Sequence, residues 1–191
     1  LTQRIPAAYR DPDNQWFGLS LRSRVIMFDK SRVSAAEISR YEDLADPKWK
    51  GEICIRSSGN IYNQSLLASL IEHLGEEATE AWAEGLVANM ARRPQGGDRD
   101  QIRAAVAGQC KLAVSNTYYL AGMLNSGVAA DIEVAEQIGV IWPNQADRGA
   151  HMNVSGAGVI STAKNPNEAR QLIEFLSDDY AQQWYSEVNN E

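Results

Sequence analysis

The chain has 191 residues, 44% of them hydrophobic, with 18 basic against 25 acidic side chains and a net charge of −7. That is enough apolar material for one large domain or two small lobes, and the lack of a Lys or Arg stripe argues against a nucleic-acid partner. No run approaches the ~18 consecutive apolar residues of a membrane helix, and the opening "LTQRIPAAYRDPDNQ" has neither a basic nor an apolar leader region, so the chain reads as soluble, its signal peptide removed or never included.

The first element is "WFGLSLRSRVIMFDK", residues 16 to 30, whose alternation predicts a strand with Arg22, Arg24, Ile26 and Phe28 on one face. A polar, irregular stretch follows to Lys50, with Pro47 and Gly51 as breakers before a strand around Ile53 to Ile55. From Ile61 to Leu74 the period turns helical through Leu66, Leu67, Leu70, Ile71 and Leu74, and the preceding "RSSGN" offers N-cap residues. Tyr62 then falls in the first helical turn.

Further helices are expected over Glu76 to Met90 and Asp98 to Ala107, with strands at Leu112 to Val114, Val140 to Trp142 and Val159 to Ser161. From Pro166 onward the pattern predicts one or two amphipathic helices, with Leu172, Ile173, Phe175, Leu176 and Trp184 as core candidates. The alternation of strands and helices points to an α/β architecture with a mainly parallel sheet.

Cys54 and Cys110 each lie at or in a short strand-like run. Two readings stay open on that basis, a pair of buried thiols or one disulfide. A bridge over so long a loop would stabilise by about 4 kcal/mol in the chain-entropy model.

Familiar catalytic patterns are missing: the chain has no GxGxxG after a strand, no phosphate-loop lysine, no HExxH and no GxSxG. The glycines of "SGAGV", 155 to 159, fit a tight strand entry better than a phosphate loop. His73 and His151 read first as packed or surface residues, and a zinc site needs more nitrogen and sulfur donors than the chain has. The acidic pairs lie in solvated stretches.

The phenols stand apart. Tyr118 and Tyr119 follow a strand's carboxyl end, where open α/β sheets place ligands. Tyr62 sits at a helix start whose free N–H groups attract anions. A Tyr-Tyr pair alone still reads as aromatic packing before it reads as a site.

The stretches "WFGLSLRSRVIMFDK", "YEDLADPKWKGEICIRSSGNIYNQSLLASLI", "AGQCKLAVSNTYYLAGML" and "NVSGAGVISTAKNPNEARQLIEFL" resemble the periplasmic ferric-iron-binding proteins of ABC transporters, the FutA and FbpA-like group. The resemblance implies a type II periplasmic binding protein, with two α/β lobes joined by crossing strands and Fe(III) held in the cleft. Residues 1–28 would be part of the first lobe and a crossing strand, 29–150 the second lobe, and 151–191 the return crossing strand and first-lobe helices. Strand 20 to 28 and the return near 152 to 160 are the expected crossing segments.

By the same resemblance Tyr118 and Tyr119 match paired phenolate ligands and Tyr62 a third. Arg22 matches an arginine near the metal or a synergistic anion such as carbonate, with Arg24 as substitute and Asn60 at the helix start beside it. The implied periplasm is oxidising, which favours a Cys54–Cys110 disulfide. The implied partner is an inner-membrane ABC permease, with the receptor a monomer that performs no catalysis. Family members extend further at both ends, so the chain is expected to be a fragment lacking at least one first-lobe ligand.

Hard anionic oxygens suit hard Fe(III), and a trivalent ion stabilises phenolates whose free pKa is near ~10. The competing readings are an anion or small-organic-ligand receptor on the same fold, and an enzyme using Tyr as acid or base.

Overall fold

Residues 1–189 are described by a computed structural model of the chain; the last two residues of the expected 151–191 segment lie outside them. Contacts divide the chain into a larger unit, Ser23–His151, and a smaller one made of Leu1–Arg22 and the chain from Met152 onward.

The first strand forms as β1, Phe17–Asp29, and every residue from Ser23 to Asp29 is buried. Its alternation serves two cores: Ile26 and Phe28 pack into one cluster, Val25 and Met27 into another. A strand covered on both faces reads as a continuous apolar run, which is what "VIMF" is.

Four other strands are β2 (Ile53–Cys54), β3 (Leu112–Asn116), β4 (Ile138–Ile141) and β5 (Met152–Ala157). In the larger unit the order is β2-β3-β1-β4. β2 runs parallel to β3, whereas β1 is antiparallel to both its neighbours, with Arg24 opposite Asn116 and Ile26 opposite Ile141. The sheet is therefore mixed, not mainly parallel. The connection from β1 to β2 contains no crossover helix of the kind that keeps successive strands parallel.

That connection is also less polar in its role than in its composition. It folds as three one-turn 3₁₀ helices, Ala35–Glu37, Glu42–Ala45 and Pro47–Trp49, which lay Ile38, Tyr41, Leu44 and Trp49 into the first core cluster. Tyr41 donates its hydroxyl to the Arg24 carbonyl and accepts the His151 N–H at 3.0 Å. Burial, partly offset by that N–H, pushes its phenol up to about 12.

The helices of this unit are α1 (Ile61–Leu74), α2 (Glu76–Asn89), α3 (Asp98–Val106), α4 (Thr117–Leu124) and α5 (Ala129–Glu136). The first three lie where periodicity places them. The last two were not expected: each is an eight-residue element, too short to show a clear 3.6-residue period.

In the smaller unit β5 pairs with β1. A Cβ at Gly156 would meet the Phe17 carbonyl oxygen at 2.6 Å, so close backbone approach explains the glycines of "SGAGV". The expected strand at Val159 to Ser161 is absent, and Ile160 is 71% exposed. Helices α6 (Pro166–Leu176) and α7 (Asp179–Trp184) follow. Of the core candidates there, Ile173 is buried and Leu176 partly so, while Leu172, Phe175 and Trp184 are exposed. The inward stripe of α6 runs through Ile173 and Leu176 to the C-cap Ser177, and Leu172 and Phe175 lie off it.

Cys54 and Cys110 are joined by a disulfide that ties β2 to the segment leading into β3, with a sequence separation of 56. For a loop of that length the double variant Cys54→Ser/Cys110→Ser should lower the unfolding free energy by about 4 kcal/mol in denaturant titrations; a loss below about 1 kcal/mol would contradict a structural role for the bridge. Glu42 supplies a second test. Its burial works to raise its pKa, but hydrogen bonds from Asn144 (3.0 Å) and Arg148 (2.7 Å) outweigh this and hold it at about 2, against an ordinary 4.5. A carboxylate depressed on folding stabilises above its unfolded pKa, so this contribution fades as pH falls from 4.5 towards 2. Acid-unfolding curves of Glu42→Gln should be flatter across that window, and an unchanged slope would exclude the network as the cause.

Candidate functional site

Two helix starts in the larger unit carry the phenols. At α1, the Asn60 side-chain oxygen accepts the Tyr62 N–H at 3.0 Å, with extended backbone angles at Asn60. This is an N-cap, and it uses the carboxamide oxygen on the helix itself. Tyr62 is therefore fixed in the first turn.

At α4, Thr117, Tyr118 and Tyr119 form the first turn directly after β3. The pair thus hangs from a helix start where the sequence showed only the end of a strand. Its N-cap, Asn116, makes no capping bond to α4. Instead its side-chain oxygen accepts from Arg24 Nη1 at 3.1 Å and its N–H donates to Asp98 Oδ2 at 3.0 Å.

The result is a phenol cluster. The Tyr62 and Tyr118 hydroxyls are 3.3 Å apart, and the Tyr118 and Tyr119 rings lie with centroids 4.2 Å apart at 31°. All three side chains are only half-buried, unlike Tyr41, and of the three Tyr119 also packs against the second core cluster. Burial, hydrogen bonding to Tyr119 and Tyr62, and the repulsion that neighbouring phenolates would exert all push the Tyr118 pKa well above the ordinary phenol range. Without a cation Tyr118 is held protonated.

Arg24 is fully buried. Nη1 bonds Asp98 Oδ2 at 2.5 Å and Nη2 bonds Asn63 Oδ1 at 2.6 Å. Both terminal nitrogens are thus engaged by internal partners. Arg22 belongs to the smaller unit, where it donates to Ser20 Oγ at 3.3 Å and to Ser155 Oγ. The structure brings together Tyr62, Tyr118 and Tyr119.

His151 also lies near this region. Its Nε2 is 2.8 Å from Ser65 Oγ, one turn along α1 from Tyr62. Burial, then the positive charge of Arg24, lowers its pKa, so the ring is neutral at pH 7. His73 is exposed and bonds the Ser69 carbonyl. Among the described residues no group of three or more His, Cys, Asp or Glu side chains is placed to hold a metal. Phenolic oxygens are the hard donors the cluster offers.

Residues 2–190 match the family described as bacterial extracellular solute-binding protein. Iron uptake protein A1 of Synechocystis sp. is 50% identical over 191 residues, which cover 100% of this chain and 53% of the relative. Among solved structures, the Trichodesmium protein IdiA (FutA) in complex with iron and citrate superposes with a TM-score of 0.96 at 50% identity, over 100% of this chain and 60% of its own. The ferric binding protein from Campylobacter jejuni gives a TM-score of 0.95 at 41% identity, over 100% of this chain and 61% of its own. The chain spans about half the length of the curated relatives it matches. The fold is that of the type II periplasmic binding proteins, and the chain belongs to the bacterial extracellular solute-binding protein family.

Proposed function

We propose that the complete protein is a periplasmic receptor that captures Fe(III) on the phenolate oxygens of Tyr62, Tyr118 and Tyr119 and delivers it to an inner-membrane ABC permease. The observation that carries this reading is the meeting of three half-buried phenols from two helix starts, at 3.3 Å between the Tyr62 and Tyr118 hydroxyls and 4.2 Å between the Tyr118 and Tyr119 rings. The relatives named for iron support the choice of ion.

A trivalent cation reverses the electrostatics of the cluster. A phenolate that would repel its neighbours in the metal-free protein becomes favourable beside the ion, as with other metal-bound acids. Three phenolates neutralise a 3+ charge, and oxygen donors suit it. Arg22 would then balance a synergistic anion, carbonate or, by analogy with the Trichodesmium complex, citrate. The Asn60 carboxamide caps α1, so its part at an anion would be indirect, through the helix start it orders.

In this reading residues 29–150 form the second lobe, and 1–28 and 151–191 supply crossing segments and part of the first. The receptor acts as a monomer and performs no catalysis.

Fe(III) added with bicarbonate or citrate to the complete protein should give an orange-to-red phenolate-to-iron charge-transfer band. Tyr118→Phe and Tyr119→Phe should each weaken affinity by about a hundredfold or more, beyond what loss of an outer-sphere partner does. A colourless protein, or a band unchanged in both variants, contradicts the assignment. The pH dependence has a defined sign: binding releases phenolic protons, so affinity at fixed free Fe(III) should fall by more than about tenfold per unit as pH drops from about 8 to about 6. A flat profile would mean that phenols do not ligate.

A further inference from the structure

We infer that Arg24 is a positioning residue for the tyrosine cluster, its buried guanidinium acting as a strut that fixes the start of α1 relative to the β3–α4 junction. The inference takes its functional meaning from the proposed iron site, but its geometry stands apart from it.

The two ends of the guanidinium reach two different elements. Nη2 donates to Asn63 Oδ1 at 2.6 Å, and Asn63 is the residue after Tyr62. Nη1 donates to Asn116 Oδ1 at 3.1 Å, and Asn116 stands two residues before Tyr118. Asp98, at the start of α3, seats the fork: its Oδ2 accepts from Nη1 at 2.5 Å and from the Asn116 N–H at 3.0 Å. On the other side Asn63 Nδ2 donates to the Arg56 and Ser57 carbonyls at 2.9 and 3.3 Å, so the strut is anchored in the loop before α1 as well.

Arg24 and Asp98 both have side chains 0% exposed. A buried ion pair is a poor source of net stability, because desolvation offsets the attraction. Its value here is geometric. A planar fork with fixed donor directions holds Asn63 and Asn116 at a set separation from two different nitrogens, which the single ammonium nitrogen of a lysine does not reproduce. Residues behind a metal's ligands hold them in place, and losing one typically weakens affinity by about ten- to hundredfold.

The test uses the complete protein with isotope-labelled tyrosine. Arg24→Lys keeps a charge beside Asp98 and removes the fork; Asn63→Ala cuts the strut on the α1 side alone. Asn89→Ala is the comparison, because Asn89 is equally hidden and donates to the Leu44 and Asp46 carbonyls at 2.9 and 2.7 Å, away from the tyrosines. In the metal-free protein the Tyr62-to-Tyr118 ring-to-ring NOE should weaken or vanish in Arg24→Lys and Asn63→Ala and persist in Asn89→Ala. Fe(III) affinity should fall by about ten- to hundredfold in the first two, with a shifted charge-transfer band, while Asn89→Ala lowers thermal stability without moving the band. Unchanged NOE and unchanged affinity in folded Arg24→Lys and Asn63→Ala would overturn the positioning role. A wild-type protein that takes up no Fe(III) would overturn the iron reading instead, and the NOE comparison would still decide the strut.

Discussion

The larger unit turns on a guanidinium that has nowhere to go but inward. Arg24 lies on the central strand opposite Asn116, fully buried, and a charge in that position requires partners on every side. Asp98 provides the counter-charge, and Asn63 and Asn116 accept from the two terminal nitrogens, while Nε has no hydrogen-bond partner among the described residues. Meeting that requirement draws α1, α3 and the end of β3 to one point. The two asparagines are sequence neighbours of Tyr62 and Tyr118, so satisfying one buried cation also places the phenols.

This arrangement explains why Tyr62 and Tyr118 differ from packing aromatics. Tyr41, packed against the same strand, gives its hydroxyl to the Arg24 carbonyl and is sealed in the core. Tyr62 and Tyr118 present their hydroxyls to each other and remain half-exposed. Clustered acids that share a small volume resist ionisation, and the occupant proposed for this cluster is a cation strong enough to displace their protons. In the proposed iron receptor the metal-free cluster is thus poised, and loading is an exchange of protons for metal.

Much of this was legible in the sequence where a single local rule decides the outcome. α1 begins after Asn60 and ends at Leu74 because a cap residue precedes a clear apolar period and Gly75, at φ 84°, follows it. The position of Tyr62 comes with it. The Tyr-Tyr pair was visible, but its helix was not, since α4 follows β3 with no break and spans eight residues. The segment 31–50 misled by composition: its few apolar residues are spaced by 3₁₀ turns, and all of Ile38, Tyr41, Leu44 and Trp49 go inward. Arg24 read as one of two arginines on a strand face, and only the folded chain distinguishes it, because Asn63, Asp98 and Asn116 are remote in sequence. The cysteines left two outcomes open until β2 and β3 were found side by side.

The claim at the centre of this account is that the phenol oxygens themselves hold Fe(III). Resonance Raman spectra of the iron-loaded complete protein, excited within its visible band, test it most directly. Phenolate ligation should give strongly enhanced tyrosinate ring vibrations that shift when the protein carries ring-deuterated tyrosine. Tightly bound iron with no enhanced phenolate vibrations would contradict it.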